Sequence, residues 1–309
     1  MWVTVRPFMT NRYNSKKPNF GFEFSSLDLW EYNLRLLMCA GLNHEDSIKV
    51  NQRVQRKCRT INYSELRKRT LRFLQSSALD RVKQGYIRWE RIYRDHIPFS
   101  ILLIGTTGTG KTAISNELSK FLINPSVLST DMLREILAKC LRAPEAKLLG
   151  SPSYRVWEEV EDGSSNEESV IKAYRQQNAL VSIAIDALLR WALDTGRIIV
   201  LEGVNIEISN YRKKRDSNIF EFVTVVKSPN KLMQFLKKRY FETPNFWTSI
   251  TTYEKYFQQI RCIQQFLIEK AKKEDIPIIE NRNVEVSARK ILKYIEETID
   301  NRVWSKKDE

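Results

Sequence analysis

Eight consecutive residues carry the clearest chemistry in this chain. Gly105, Thr106, Thr107, Gly108, Thr109, Gly110, Lys111 and Thr112 fill every fixed position of the phosphate-binding pattern G-x-x-x-x-G-K-[ST]. The glycines permit backbone angles and a close phosphate approach that side chains would block. Lys111 would reach the β- and γ-phosphates of a nucleotide, and the Thr112 hydroxyl would ligate Mg²⁺. The flanks agree. Ser100–Ile104 is a short apolar run of the buried parallel-strand type, and Ala113, Ile114, Leu118, Phe121 and Leu122 recur at helical spacing. Strand, glycine loop and helix start together form an anion site, because backbone N–H groups converge there and the helix dipole adds positive charge.

Chemistry in open parallel sheets gathers at the carboxyl ends of the strands, and further candidates lie there. Asp131 follows the apolar run Ser126–Leu128. It is placed to orient an acceptor hydroxyl and take its proton, or else to cap the helix that follows. Glu202 ends the run Arg197–Leu201, where a carboxylate holds a Mg²⁺-bound water or pairs with a loop group. Arg239 closes a helix ahead of a Pro- and aromatic-bearing stretch and is a candidate clamp on a transferring phosphoryl group, with Lys237 and Lys238 competing. Arg134, one turn beyond Asp131, either meets an acidic acceptor or belongs to a solvated helical face.

The elements that must position these residues are legible in outline. Strands are expected at Trp2–Val5 and Gly21–Phe24, then helices over Leu27–Ala40, His44–Cys58, a third opened by the capping box Asn62–Glu65, and Ala78–Asp95. Pro98 breaks the chain before the first strand of the second part. After the phosphate loop, a helix is expected over Met132–Leu141 and an irregular connection over 142–166. A long helix follows at Glu167–Thr195, then a strand at Phe220–Val226 and helices at Asn230–Arg239 and Tyr253–Lys273. Ile276–Ile279 is a strand and Val284–Ile299 a closing helix. Strands alternating with helices of ten or more residues imply a parallel sheet covered on both faces. The fold class expected is α/β: a P-loop NTPase/kinase fold with a five-stranded parallel sheet, preceded by a small, mainly helical domain. The division falls at 1–96 and 97–309.

Composition bounds the rest. The chain has 309 residues, 42% hydrophobic and 28% charged, as a globular protein does. No apolar run reaches the roughly 18 residues of a membrane helix, and the start lacks the basic-then-apolar order of a secretion signal, so a cytoplasmic protein without membrane contact is expected. The four cysteines form no C-x-x-C pair, and two histidines, His44 and His96, give little support to a histidine-based metal site or triad. The net charge is +14, and residues 1–99 hold 19 Lys+Arg against 9 Asp+Glu, an excess of +10. Such a bias suits nucleic acid, a multiply charged anion or a solvated face. Its scatter through amphipathic helices argues against the first. Arg212–Arg215 reads as a solvated loop more than as a nuclear address. A guanine-reading Asn-Lys-x-Asp is missing, since Asn230-Lys231 continues into Leu232-Met233.

The pieces SVLSTDMLREIL, SPSYRVW, IIVLEGVN and IPIIEN, in this order, resemble the 2-phosphoglycerate kinase family, whose relatives include a plant P-loop protein linked to phytic-acid synthesis. SSLDLWEYNLRLLMCAGL and the Tyr86–Arg94 region are similar to the ATP-cone-like domain that precedes the kinase there. The resemblance implies ATP- and Mg²⁺-dependent transfer of the γ-phosphate to a hydroxyl of a small phosphorylated acid or related polyanion. It implies Asp131, Arg134, Ser153, Tyr154 and Glu202 on the acceptor side, and Asn281 near the adenine. The sequence departs from the family at Asn205, where histidine follows E-G-V, a position expected to touch the acceptor. Two other readings stand beside this one: a polynucleotide 5′-hydroxyl kinase or RNA-associated ATPase that uses the basic N-terminal third, and a nucleotide sensor without catalysis.

Overall fold

Five short apolar runs become the strands of one parallel sheet: β1 (Ser100–Ile104), β2 (Ser126–Ser129), β3 (Ile199–Gly203), β4 (Ile219–Val225) and β5 (Ile278–Glu280). The computed structural model describes residues 26–55, 62–142, 144–160, 163–211, 218–242 and 249–303. The expected strands Trp2–Val5 and Gly21–Phe24, and the run Arg212–Arg215, lie outside the described residues. The strand order is β2-β3-β1-β4-β5, with every pairing parallel. This is the sheet of the P-loop kinase fold, with β1 in the centre and the phosphate loop at its carboxyl end.

Strand alternation sends side chains to two apolar layers. Ile101, Leu103, Val200, Phe220 and Phe222 face α5 (Lys111–Phe121) and α12 (Val284–Val303). Leu102, Ile104, Leu201, Val223 and Val225 face α8 (Glu167–Asp194), α9 (Pro229–Glu242) and α11 (Phe257–Lys273).

The N-terminal helices are α1 (Ser26–Cys39), α2 (His44–Gln55), α3 (Tyr63–Ser76) and α4 (Asp80–Arg94). Asn62 caps α3, accepting from Glu65 N at 2.9 Å. Residue 96 lies between α4 and β1, and one apolar cluster runs across it, from Leu36, Leu74 and Trp89 to Phe99, Phe121 and Ile291. Arg35 of α1 donates to Ser119 O, Lys120 O and Leu122 O at 2.8, 3.2 and 2.5 Å. These are carbonyls at the end of α5, where a helix leaves acceptors unpaired and favours a cation. From the other side, Arg289 of α12 donates to Met38 O and Leu42 O and lies over the Phe121 ring.

Three segments differ from the sequence reading. The connection 142–166 contains a short helix, α7 (Glu145–Gly150), and a 3₁₀ turn (Val156–Glu159), because Leu149 and Val156 bury fully against α8. The helix expected over Tyr253–Lys273 is two, α10 (Ile250–Lys255) and α11. It is interrupted at Tyr256, whose hydroxyl donates to Glu158 Oε1 at 2.6 Å. The helix after β2, α6 (Thr130–Cys140), starts at Thr130, which places Asp131 inside its first turn.

Candidate nucleotide and acceptor site

The loop between β1 and α5 is shaped by its glycines. Gly108 and Gly110 hold φ of 82° and 85°, the left-handed region that side chains resist. A Cβ on Gly105 would stand 2.6 Å from Thr224 O, and one on Gly110 would collide with Asn281 Nδ2. The loop is tied down from behind. Thr109 Oγ1 donates to Thr106 O at 2.9 Å and lies 3.1 Å from Thr224 Oγ1, while Asn281 Nδ2 donates to Thr109 O at 3.1 Å. Asn281 thus reaches the loop from the end of β5 and braces its backbone.

Lys111 and Thr112 open α5 and line a cavity of about 570 Å³. Lys111 Nζ donates to Thr106 O at 2.9 Å. Burial pushes its ammonium below the ordinary value of 10.5, opposed by Glu202 and Asp131 and assisted by Arg239. Thr112 Oγ1 donates to Glu202 Oε1 at 2.9 Å, so hydroxyl and carboxylate meet at the carboxyl end of β3. The residues fit a nucleotide: the loop is a cradle that side chains would fill, and the buried Thr106 hydroxyl has no hydrogen-bond partner among the described residues. They also fit Mg²⁺, a hard cation that takes one or two protein oxygens and completes its shell with phosphate and water. No cluster of three or more His, Cys, Asp or Glu able to hold a metal occurs among the described residues.

Arg239, from the last turn of α9, enters the cavity and donates Nη1 to Thr107 Oγ1 at 3.0 Å. Its competitor Lys237 pairs with Glu254 at 3.0 Å instead. Asp131 lines the cavity with its side chain 61% exposed. Capping of α6 falls to Ser129, whose side chain accepts from Met132 N at 3.2 Å, which leaves the Asp131 carboxylate to the cavity. Arg134 is buried and is not part of a solvated face. It donates Nη1 to Leu149 O and Nη2 to Glu135 Oε1, while its buried Nε makes no hydrogen bond among the described residues, with Asp131 Oδ1 3.8 Å away. Ser153 and Tyr154 complete this wall, Tyr154 packing on the rings of Tyr253 and Tyr256 with centroids 6.4 and 5.7 Å apart.

The expectation that Asn205 touches the acceptor is corrected. Asn205 is fully buried behind the cavity wall, bonded to Ser153, Gln177 and Asn178. Its short side chain, two residues past the end of β3, lies between α8 and Ser153 and is not among the residues that line the cavity. Gln177 and Asn178 were not legible as site residues one by one. The readable signal is their place on the core-facing stripe of α8, among Val170, Ala173, Tyr174, Val181 and Ile185, where amides need partners. Glu135, Met132 and Tyr240 also line the cavity and carried no sequence signal.

No family model matches the chain. It is similar to curated archaeal proteins named 2-phosphoglycerate kinase. The one from Pyrococcus horikoshii is 28% identical over 256 residues, 82% of this chain and 83% of the relative. That from Methanocaldococcus jannaschii is 28% identical over 245 residues, 78% and 77% of the two chains. One from Methanococcus maripaludis is 26% identical over 281 residues, 86% and 88%. Among solved structures, a shikimate kinase from Acinetobacter baumannii in complex with shikimate is 16% identical, covers 67% of this chain and 97% of its own, and has a TM-score of 0.39. That likeness is too slight to bear on function.

Proposed function

From a chain that resembles the 2-phosphoglycerate kinases over most of its length, a phosphotransferase with a hydroxyl as acceptor, we propose an ATP- and Mg²⁺-dependent kinase acting on a small phosphorylated acid, 2-phosphoglycerate or a close polyanionic relative. One observation carries the reading: a single cavity is lined both by the phosphate-loop pair Lys111 and Thr112 and by the buried guanidinium of Arg134, whose Nε makes no hydrogen bond among the described residues. In this reading the phosphoryl donor and the anionic acceptor share one chamber.

In this reading Lys111 and the loop amides neutralise the β- and γ-phosphates, with Asn281 on the base side. Thr112 and Glu202 would hold Mg²⁺, which would supply neutralising charge. Asp131 takes the proton of the acceptor hydroxyl only as transfer proceeds, not in the bound acid beforehand. Arg239, tied to the loop through Thr107, steadies the charge that builds on the equatorial oxygens during transfer. Arg134 and Tyr154 receive the acid, and the described residues 26–55 and 62–96 form a helical unit braced on the part that begins at residue 97. The described cysteines Cys39, Cys140 and Cys262 are free thiols, in keeping with a cytoplasmic protein. No helix among the described residues is long and apolar enough to cross a membrane.

The basic bias of the N-terminal helices gives less support to a nucleic-acid substrate. Arg35, Lys49, Arg69, Arg88 and Arg94 all stand in ion pairs with carboxylates. The test is ATP consumption on a panel of phosphorylated acids and inositol phosphates, wild type against Lys111→Ala. Stimulation by one acceptor class in the wild type and none in the variant is expected. Equal turnover by both proteins would overturn the phosphate site, and stimulation by RNA 5′-hydroxyl ends instead would overturn the acceptor.

A further inference from the structure

Behind the acceptor wall runs a chain of carboxamides whose donor direction is fixed at its far end. Gln177 Nε2 lies 2.7 Å from Leu148 O and 2.8 Å from Ser151 O. Backbone carbonyls only accept, so the amino group of Gln177 must face them and both its hydrogens are spent there. Turning this amide over would set three oxygens against one another in a buried place.

Gln177 Oε1 therefore points the other way and must receive a hydrogen. Asn205 Nδ2 provides it at 2.8 Å and gives its second hydrogen to Asn178 Oδ1 at 2.9 Å. With both Asn205 hydrogens committed, its Oδ1 is left as an acceptor towards Ser153, whose Oγ stands 3.3 Å away. The hydroxyl of Ser153 has one hydrogen, and it goes to Asn205. What Ser153 still offers is lone pairs alone. Ser153 is 5% exposed and lines the cavity, so a group that meets its oxygen there has to be a donor.

The geometry points to Ser153 as a polarity-selecting residue: the relay Gln177–Asn205 turns its hydroxyl into an obligate hydrogen-bond acceptor that selects acids bearing a free hydroxyl over isosteres that cannot donate. This rests on the acceptor reading of the cavity given above and adds to it how the hydroxyl is recognised. Asn205 acts as a positioning residue, through Ser153. A carboxamide suits the task because it carries a donor and an acceptor at once and does not titrate, so the direction of the relay is independent of pH.

The experiment titrates the full chain, with ADP and Mg²⁺ present, with 2-phosphoglycerate and with its analogue in which fluorine replaces the free hydroxyl. Fluorine is similar in size and donates nothing. Wild type is expected to bind the alcohol at least ~10-fold more tightly, since the unmet lone pairs of Ser153 penalise the fluoride, and Ser153→Ala to bring the two within about twofold. In parallel, hydrogen exchange of the Asn205 side-chain amide is followed by NMR in ligand-free protein, where strong protection is expected. A preference that survives in Ser153→Ala, equal binding of the two probes by wild type, or an Asn205 amide that exchanges like an exposed one would each overturn the proposal and leave the kinase reading standing. Binding of neither probe, with the amide protected, would overturn the acceptor reading and this proposal with it.

Discussion

Replacing Lys111 with methionine separates what this residue does for the fold from what it does for a ligand. In the ligand-free protein the ammonium is buried, its pKa lies below the ordinary 10.5 with desolvation as the leading cause, and its described hydrogen bond goes to Thr106 O. That carbonyl also accepts from Thr109 Oγ1 at 2.9 Å and Thr109 N at 3.4 Å, so removal of the ammonium does not orphan it. Methionine fills nearly the same volume without a charge. Swaps of buried charge for apolar groups are often neutral or stabilising, so the expected change is between zero and a gain of about 2 kcal/mol. The pH dependence has the same origin. A lysine depressed in the folded state gives up its proton there first, so between its lowered pKa and 10.5 the unfolded chain binds more protons and stability rises with pH. Lys111→Met flattens that rise. For a nucleotide the balance reverses, since two charge-assisted phosphate contacts at about 1.5–3 kcal/mol each amount to a ~10²–10⁴-fold loss of affinity. Urea unfolding across pH without nucleotide, and calorimetric titration with Mg²⁺–ATP, read the two effects separately. A variant destabilised by more than about 1 kcal/mol, or one that binds nucleotide within threefold of wild type, would refute this reasoning.

Three further perturbations follow from the same geometry. Gly110→Ala meets a left-handed backbone and the Asn281 amide together, so a loss of at least about 1–2 kcal/mol in urea unfolding is expected, along with the loop's hold on nucleotide. Arg35→Ala removes the cation that satisfies three carbonyls at the end of α5, and chemical denaturation should register about 2 kcal/mol of destabilisation with the ATP KM unchanged. Glu202→Gln keeps an acceptor for Thr112 but removes the negative charge, so the Mg²⁺ concentration for half-maximal turnover should rise at least ~10-fold at near-native stability. Unaltered Mg²⁺ dependence would remove Glu202 from the metal site.

The phosphate loop was readable because its strand, glycines and helix are consecutive, and each leaves a periodic or spacing signal within some twenty residues. The carboxyl-end candidates Asp131 and Glu202 were readable for the same local reason. Contacts between segments distant in the chain were not. Thr224 supports Gly105 and Thr109 from β4, and Arg35 reaches α5 across more than eighty positions, with nothing in their own neighbourhoods to announce it. Asn205 was misplaced because the sequence locates it just past a strand end but does not say which way its side chain leaves. The two short helical pieces within 142–166 were hidden by Pro144, Gly150 and Pro152, which read as loop although Leu149 and Val156 anchor the segment to α8.

The arginines that staple α1 to the back of the phosphate-loop helix bear on how this protein can be cut. Trp89 stands against Phe99 at 6.1 Å between ring centroids, and Leu36 and Leu37 share a cluster with Leu118 and Phe121. A fragment beginning at residue 97 would carry the whole glycine loop yet leave Phe99, Leu118 and Phe121 bare to water and the last carbonyls of α5 without their cation. The part that begins at residue 97 is therefore not expected to behave as a separable module: a truncation made to isolate it should be sticky and poorly cooperative, and its failure to turn over substrate would say nothing about the chemistry of the intact chain.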